Sequence, residues 1–539
     1  MNQLANLLSR AERQFSGKAA IIYGDRQVTF AQVGEAANRL ASALVHGLGV
    51  QKGSRVGLLL PNCPEFTITD WALIRAGLVR VPVNPRLAPS EVEYILKDSG
   101  ADLVVYDSDY ASVVDAIRPN LPEARHFVAV GSAPAGSAPA GSAPAGPAPA
   151  SPAPAGSLRW DDVLAQGQPD GFQVDTGMDD PYMILYTSGT TGRPKGATTT
   201  LRSRWFTIFT SAENENFVEP SDVMLHVASL GHGSGTKVLN HYLKGAANVY
   251  LPKFTIEAFC QTVQRHQVTT TWLVPTIIGM LMDFPERRKY DLSSLRTIVY
   301  GGAPMPVERL KEALQVFGPI FVQVFGLSET PHPIVSMGKG DHVAGTPEQL
   351  TRRLGSAGRP SIGVDVKLVT EDGREAASGE VGEIAARGDN VMIGYWGKPE
   401  ATAEVMKDGW FYTGDLGVAD EEGYIAIVDR KKDMIISGGY NVYPREVEEA
   451  FYKHPAVREC AVIGVPDAKW GEAVKAVVSL KPGHPATAED LLDHCRLWLA
   501  GYKKPQSVDV LDDLPKSPNG KILKRELRKP YWDGRHRRI

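Results

Sequence analysis

Apolar runs along this chain alternate with segments of helical periodicity, and several runs lead straight into glycine, serine or proline. Four such runs are MILYTSG, TTTWLVPT, TIVYGGAP and FVQVFGLSE. Strands that alternate with helices favour a layered α/β architecture, in which ligands bind beyond the carboxyl ends of the strands. The sequence therefore predicts an α/β fold with mostly parallel sheets. Its polar and glycine-rich loops should lie beyond the carboxyl ends of the strands, where ligands bind.

The pattern changes near residue 430, where the predicted elements become shorter. They are a strand at 434–437, a helix from Pro444, and strands near 461–465 and 473–480. We expect a small, mobile α+β C-terminal domain at 431–539. It follows a large layered N-terminal domain at 1–428, and residues 429–430 form the hinge, with Asp429 at its centre.

A low-complexity segment at 131–156 repeats a five-residue unit of glycine, serine, alanine and proline. It carries no side chain able to build a core, and its frequent prolines favour extended conformations. We therefore expect a surface insertion in the N-terminal domain. A docking arm for a partner is the alternative interpretation.

Composition narrows the class of protein. The 539 residues exceed the about 100 to 150 of a typical domain, so at least two packed units are expected. Apolar residues make up 43%, and a net charge of -4 gives no reason to expect a nucleic acid partner. No apolar run approaches a membrane span and no export signal is evident, so we expect a cytoplasmic protein without a transmembrane segment.

The cysteines do not indicate a metal site or a disulfide framework, because they lie far apart and form no CxxC pair. They are Cys63, Cys260, Cys460 and Cys495. We expect buried or incidental thiols at these positions.

The segment YTSGTTGRPKG, from Tyr186 to Gly196, has the composition of a phosphate-binding loop. Its glycines allow backbone N–H groups to approach phosphate oxygens, its hydroxyls donate, and its lysine supplies positive charge. The candidate residues are Thr187, Ser188, Gly189, Thr190, Thr191, Gly192 and Lys195. A P-loop is excluded, because that motif places serine or threonine after its lysine and this chain has Gly196.

YTSGTTGRPKG resembles the signature of the adenylate-forming superfamily, which includes acyl-CoA synthetases, aryl-CoA ligases, luciferases and nonribosomal adenylation domains. Five further signatures follow in the family's order. They are GGAP from Gly301, FGLSE from Phe325, YTGD from Tyr412, DRKKDMIISGGYNVYPREVE from Asp429, and PNGK ending at Lys521. The resemblance covers nearly the whole chain outside the repeat. It implies the acyl-CoA synthetase branch, in which a carboxylic acid and ATP give an acyl-adenylate and pyrophosphate, and coenzyme A then gives acyl-CoA and AMP.

The resemblance also implies roles for individual residues. Lys521 bridges the carboxylate and the α-phosphate, Glu329 holds Mg²⁺, and Asp415 binds the ribose hydroxyls. His232 lies near the acyl carboxylate. The remaining nucleotide contacts are Gly302, Ala303, Pro304, Phe325, Gly326, Ser328 and Arg430.

Three positions depart from the usual family pattern: Phe325 replaces tyrosine, Ser328 replaces threonine, and Leu201 stands where histidine is common. None of them removes a charge needed for catalysis.

The acid is predicted not to be an amino acid, because residues 226–237 contain no acidic side chain to hold a substrate amine. Fatty and aromatic acids both stay open, since Trp205, Phe206 and Trp272 suit a ring or a chain. For coenzyme A, the resemblance implies contacts with Gly438, Gly439, Trp470, Tyr502 and Lys504. A homodimer also stays open.

Two alternatives accompany this interpretation. One is an acyl-AMP ligase that loads a carrier protein. The other is a catalytically silent nucleotide-binding homologue with the repeat as its docking arm.

Overall fold

The computed structural model describes residues 2–131, 155–187, 193–214, 218–331, 333–517 and 521–533. The predicted surface insertion lies almost wholly outside these residues. So does the centre of the predicted phosphate loop, with Ser188, Gly189, Thr190, Thr191 and Gly192.

The strands, numbered along the chain, are Ala19–Tyr23 (β1), Arg26–Thr29 (β2), Arg55–Leu59 (β3), Val79–Pro82 (β4), Ala101–Asp107 (β5), His126–Val130 (β6), Leu158–Arg159 (β7), Pro181–Thr187 (β8), Lys195–Thr200 (β9), Val223–His226 (β10), Ala247–Tyr250 (β11), Thr270–Leu273 (β12), Thr297–Gly301 (β13), Phe321–Phe325 (β14), Val335–Met337 (β15), Arg359–Pro360 (β16), Asp365–Val369 (β17), Val381–Arg387 (β18), Gly394–Tyr395 (β19), Met406–Lys407 (β20), Trp410–Ala419 (β21), Ile425–Arg430 (β22), Ile435–Ser437 (β23), Tyr440–Val442 (β24), Val457–Asp467 (β25), Gly471–Leu480 (β26) and Ser507–Val510 (β27).

The α-helices are Gln3–Gln14 (α1), Phe30–Ser42 (α2), Pro64–Ala76 (α3), Pro89–Asp98 (α4), Ala111–Ile117 (α5), Trp160–Gln166 (α6), Leu201–Asn214 (α7), Gly233–Leu243 (α8), Ile256–His266 (α9), Pro275–Asp283 (α10), Val307–Phe317 (α11), Pro347–Leu354 (α12), Pro399–Val405 (α13), Pro444–Tyr452 (α14), Ala488–Arg496 (α15) and Lys524–Trp532 (α16). A π-helical turn at Ala43–Gly47 extends α2. Short 3₁₀ turns lie at Ser108–Tyr110, Arg118–Asn120, Pro285–Lys289, Gly340–His342 and Gly501–Lys503.

Two mostly parallel sheets form the large N-terminal part, as predicted. One has the strand order β16-β15-β14-β13-β12-β10-β11-β1-β2, and its strands from β14 to β1 run parallel. The other has the order β19-β9-β8-β4-β3-β5-β6-β7, with β9 and β19 antiparallel at one edge. Both sheets are packed between helices, which explains why their strands are continuous apolar runs rather than alternating ones.

The four apolar runs that lead into glycine, serine or proline come from both sheets. TTTWLVPT, TIVYGGAP and FVQVFGLSE contain β12, β13 and β14, which are neighbouring parallel strands, so their loops leave from one edge. Residues 183–187 of MILYTSG belong to β8, in the other sheet. The crevice is therefore built where two sheets meet.

The C-terminal elements match the predicted ones. The strands β23, β25 and β26 pair in an antiparallel sheet, to which β27 adds in parallel. Helix α14 begins at Pro444, as expected, and buries Val447, Ala450 and Phe451 in a separate apolar cluster. A further antiparallel sheet, with β17, β18, β20, β21 and β22, precedes this unit. The boundary at residues 429–430 stays a prediction.

Within the described ranges, none of the helices is both long and apolar enough to cross a membrane. The four cysteines are buried and unpaired by disulfides, in agreement with the sequence prediction.

Candidate active site

Lys521 meets the N-terminal part of the chain at Gly302. Its Cε lies 4.0 Å from the position that a Cβ atom would take on Gly302. Ser517 holds the lysine backbone, because Ser517 N donates to Lys521 O at 2.7 Å and Lys521 N donates to Ser517 Oγ at 3.2 Å. The side chain of Lys521 therefore approaches the loop after β13, where the adenine contacts are predicted.

The Lys521 ammonium lies in a cleft of mixed charge. The side chain is exposed along the open side of the cleft. Partial desolvation by the cleft walls nevertheless lowers its pKa, with a second contribution from Arg430, while Asp415 and Glu329 oppose the shift. Three sequence-distant candidates thus share one electrostatic environment with this lysine.

Asp415 is buried and paired with Arg430. The two residues are register partners on antiparallel β21 and β22, and Arg430 Nε lies 3.2 Å from Asp415 Oδ1. Desolvation raises the pKa of Asp415, and the positive charges of Arg430 and Lys521 lower it in part. A carboxylate fixed in this way is a suitable acceptor for sugar hydroxyls.

Glu329 is buried just beyond the end of β14. Its Oε1 accepts a hydrogen bond from Tyr395 Oη at 3.0 Å. The ammonium of Lys195 lies 5.1 Å from the centre of the same tyrosine ring. Lys195 is in turn the register partner of Thr187, so the hairpin between β8 and β9 places the phosphate-loop lysine near Glu329.

The predicted adenine contacts lie at adjacent strand ends. Gly302 to Pro304 follow β13 directly, and Phe325 ends β14, its parallel neighbour. Gly302 has φ = 79°, a left-handed conformation that glycine adopts without strain. Phe325, Gly326 and Ser328 are half-buried, so they line rather than fill the cleft.

His232 precedes the first residue of α8 and is half-buried. Desolvation lowers its pKa to about 4, with further contributions from Lys521 and Arg80. The imidazole is therefore neutral at pH 7. His226, by contrast, is engaged with Ser234 and Asn248 at 2.9 Å each, which is a structural arrangement.

The aromatic residues predicted to frame the acid do not form one wall. Trp272 Cη2 lies 3.6 Å from the Cβ position of Gly302, so this indole borders the cleft. Trp205 packs against Phe209 in a tilted arrangement, with ring centres 5.6 Å apart. Phe206 lies against Gly363, in a different apolar cluster. Successive helical residues point about 100° apart, because a turn takes 3.6 residues, and this separates Trp205 from Phe206.

The predicted coenzyme A residues cluster on the C-terminal sheet. Gly438 and Gly439 form the turn between β23 and β24, with φ of 59° and 82°. Gly438 N donates to Trp470 O at 2.8 Å, and the indole lies over this turn. Tyr502 packs on Tyr440 with ring centres 4.9 Å apart. Trp470, Tyr502 and Tyr440 are 43%, 45% and 60% exposed, so these aromatic surfaces are available to a ligand.

Lys504 follows the same 3₁₀ turn as Tyr502 and is half-buried. The neighbouring Lys503 pairs with Glu446 at 2.6 Å. The turn thus carries two ammonium groups beside the exposed tyrosines.

Asp429 is buried at the predicted hinge. Its carboxylate accepts from Arg430 N at 2.7 Å and from Arg445 N, in the first turn of α14, at 3.0 Å. Desolvation raises its pKa. This carboxylate therefore ties the end of β22 to the start of the C-terminal unit.

Two site residues were missed by the sequence reasoning. Tyr395 contacts Glu329 and Lys195 from a strand 66 residues beyond Glu329. Tyr440 adjoins the glycine turn and covers Tyr502. A tyrosine directly after SGG was the available signal for Tyr440, whereas the contacts of Tyr395 depend on the pairing of β19 with β9.

Within the described residues, no cluster of three or more histidine, cysteine, aspartate or glutamate side chains is suited to hold a metal ion alone. A single carboxylate at Glu329 still fits Mg²⁺, which proteins usually bind through one or two carboxylates together with substrate phosphates.

Comparisons with known proteins agree with this geometry. The family of AMP-binding enzymes matches residues 8–396, and the C-terminal domain of AMP-binding enzymes matches residues 446–521. The chain is 38% identical to a feruloyl-CoA synthase of Amycolatopsis, over 97% of the chain and 98% of the relative. It is 36% identical to the long-chain-fatty-acid–CoA ligase FadD13 of Mycobacterium tuberculosis, over 94% of each.

Solved structures show the same fold. The anthranilate CoA ligase AuaEII in complex with anthranoyl-AMP superposes with a TM-score of 0.87 at 30% identity, covering 98% of this chain and 97% of that one. ATP-bound MatB from Rhodopseudomonas palustris gives a TM-score of 0.84 at 30% identity, covering 99% of this chain and 100% of MatB.

Proposed function

The chain belongs to the AMP-binding enzyme family and is an ATP-dependent acid–CoA ligase, and we propose which of its residues carry each step and which class of acid it takes. In the first step the acid carboxylate attacks the α-phosphorus of ATP and pyrophosphate leaves. In the second, the thiol of coenzyme A attacks the acyl carbon and AMP leaves.

Lys521 serves the first step. Two anions, the carboxylate and the α-phosphate, must approach each other, and negative charge increases around phosphorus as pyrophosphate departs. A fixed ammonium between them lowers this barrier. The observation that supports the role is the position of Lys521 against Gly302, within electrostatic reach of Asp415 and Glu329.

The nucleotide is held by groups on the two mostly parallel sheets and on the antiparallel sheet of β21 and β22. Asp415 accepts hydrogen bonds from the ribose hydroxyls, with Arg430 fixing its carboxylate. The glycine turn at Gly302 and the ring of Phe325 border the adenine. Lys195 and the hydroxyl of Thr187 face the polyphosphate. Glu329 would hold Mg²⁺ together with the phosphates, and the ion when bound neutralises their charge.

The acid is a fatty or aromatic monocarboxylate that carries no charged group besides its carboxylate. Neutral His232 offers a hydrogen bond to the carboxylate, and Trp272 provides an apolar border. The absence of an acidic side chain among residues 226–237 disfavours a substrate amine. Similarity to a feruloyl-CoA synthase and to fatty-acid ligases supports both kinds of acid.

Coenzyme A is the acceptor. Its pantetheine arm passes the turn of Gly438 and Gly439, where a side chain would obstruct it, and its nucleotide contacts Trp470, Tyr502 and Lys504. In the present structure Lys521 occupies the cleft, so the second step requires rotation about Asp429 to bring the glycine turn there. The exposed aromatic surfaces on the C-terminal sheet support this assignment.

One experiment tests both the reaction and the acid class. Acid-dependent exchange of labelled pyrophosphate into ATP, measured over a panel of acids, should respond to fatty or aromatic monocarboxylates. A preference for amino acids would overturn the assignment of the acid.

Transfer to a carrier protein is the second candidate. The chain is 33% identical to the fatty acid–[acyl-carrier-protein] ligase ScoC of Streptomyces coeruleorubidus, over 96% of the chain and 95% of the relative. Supplying acyl-AMP with either coenzyme A or a holo-carrier protein separates the two acceptors.

A further inference from the structure

Tyr395 lies between two groups that the proposed function assigns to ATP. Its hydroxyl donates to Glu329 Oε1 at 3.0 Å, and its ring centre is 5.1 Å from Lys195 Nζ. A phenol is protonated near neutral pH and therefore acts as the donor to a carboxylate. One side chain thus contacts the carboxylate assigned to Mg²⁺ and the ammonium assigned to phosphate.

The backbone around Tyr395 is fixed to both partners. Met392 N donates to Glu329 O at 2.7 Å, and Trp396 N donates to Gly196 O at 2.8 Å. Tyr395 is also the register partner of Ala197 on β9, the strand that begins at Lys195. The segment from Met392 to Trp396 therefore joins the loop of Glu329 in one sheet to the phosphate-loop strand in the other.

The ring and the hydroxyl of Tyr395 do different things. The ring packs beside a small cluster of Ala197, Met392 and Phe411, which is a structural contribution. The hydroxyl adds nothing to that cluster and points to Glu329 instead. Removing the hydroxyl alone therefore isolates its effect on the carboxylate.

We propose that Tyr395 is a positioning residue that fixes Glu329 relative to Lys195. In this arrangement Glu329 faces the Mg²⁺ and Lys195 faces the polyphosphate of one bound ATP. The proposal rests on the proposed function. A glutamate side chain has several rotamers, and a hydrogen bond that selects one of them prepares the carboxylate for its ligand. Loss of such an outer partner typically lowers metal affinity or activity by about 10- to 100-fold.

The test is the Tyr395→Phe variant, with Mg²⁺ varied at fixed ATP. The free Mg²⁺ that half-saturates pyrophosphate exchange should rise about 10-fold or more, as for other lost outer-sphere partners. Turnover is suppressed in a Lys521→Ala protein, so ATP binding can be measured there by calorimetric titration in the presence of Mg²⁺. Adding Tyr395→Phe to that protein should weaken the binding of ATP to the same extent. The melting temperature should stay close to that of the unmodified protein, because the ring remains.

Tyr424→Phe is the matched control, because Tyr424 Oη also donates to a carboxylate, that of Asp341, outside the cleft. Its Mg²⁺ dependence should be unchanged. Suppose that Tyr395→Phe leaves the half-saturating Mg²⁺ concentration unchanged while Glu329→Gln raises it. Tyr395 then has no positioning role, and the proposed function stands. If Glu329→Gln has no effect either, the metal role of Glu329 is wrong and the proposal for Tyr395 falls with it.

Discussion

Asp415 and Arg430 face each other across two antiparallel strands, and their side chains meet at 3.2 Å beside Lys521. Arg430 is itself one of the two predicted hinge residues, and Asp415 lies on the neighbouring strand β21. A nucleotide held by Asp415 is therefore bound next to the point about which the C-terminal unit is proposed to rotate.

Asp415→Ala should weaken ATP binding by about 1.5 to 3 kcal/mol, the range for hydrogen bonds to a charged group. The substitution removes the acceptor for the ribose hydroxyls and leaves Arg430 without its partner. Calorimetric titration with ATP measures the change directly. Unmodified affinity in a folded variant would exclude Asp415 from the ribose role.

The pH dependence of adenylate formation should report Lys521. Desolvation and Arg430 lower the pKa of this lysine, so its ammonium loses the proton at a lower pH than an ordinary lysine does. The rate should fall on the alkaline side as pH rises through that lowered pKa. Arginine stays protonated to a pKa above about 12, so Lys521→Arg should move this decline to higher pH, whatever its maximal rate.

Normalised pH profiles of pyrophosphate exchange make this comparison. If the alkaline parts of the profiles of the unmodified protein and Lys521→Arg coincide, the decline in rate reports a group other than Lys521.

Tyr440→Ala should weaken coenzyme A use without affecting pyrophosphate exchange. Stacking of a base on an aromatic ring contributes about 1 to 3 kcal/mol to binding. The KM for coenzyme A should therefore rise by the factor that corresponds to this free energy. Tyr440→Phe keeps the ring and should behave as the unmodified protein. Phosphopantetheine lacks the adenine nucleotide, and its KM should not respond to Tyr440→Ala.

An equal rise in KM for coenzyme A and phosphopantetheine would contradict nucleotide stacking. It would place Tyr440 on the pantetheine arm instead.

Much of the fold was predictable because its parallel strands are continuous apolar runs that end in glycine, serine or proline. The strands β12, β13 and β14 and the helix from Pro444 follow from local pattern. The meeting of Asp415 and Arg430 does not, because it depends on strand register, nor does the position of Tyr395, which depends on the joining of two sheets. Helical geometry directs Trp205 and Phe206 to different apolar clusters, and their part in framing the acid stays a prediction.

The candidate site residues follow from the ordered signatures, and their roles stay predictions. The distances among Lys521, Gly302 and Glu329 depend on how the C-terminal unit packs against the N-terminal sheets. No local pattern encodes that packing.

The central claim assigns the two half-reactions to different parts of the C-terminal unit, and Lys521→Ala tests it most directly. Lys516→Ala is the matched control, since Lys516 pairs through its backbone with Ile522, the residue after Lys521, while its ammonium pairs with Glu459 and Asp513. Lys521→Ala should slow adenylate formation by at least about 100-fold, as loss of one preorganised charge-stabilising group commonly does. It should still convert supplied acyl-AMP and coenzyme A to the thioester at close to the unmodified rate, and Lys516→Ala should retain both steps. Equal loss of both half-reactions in folded Lys521→Ala would contradict the account, because one fixed arrangement would then serve both steps.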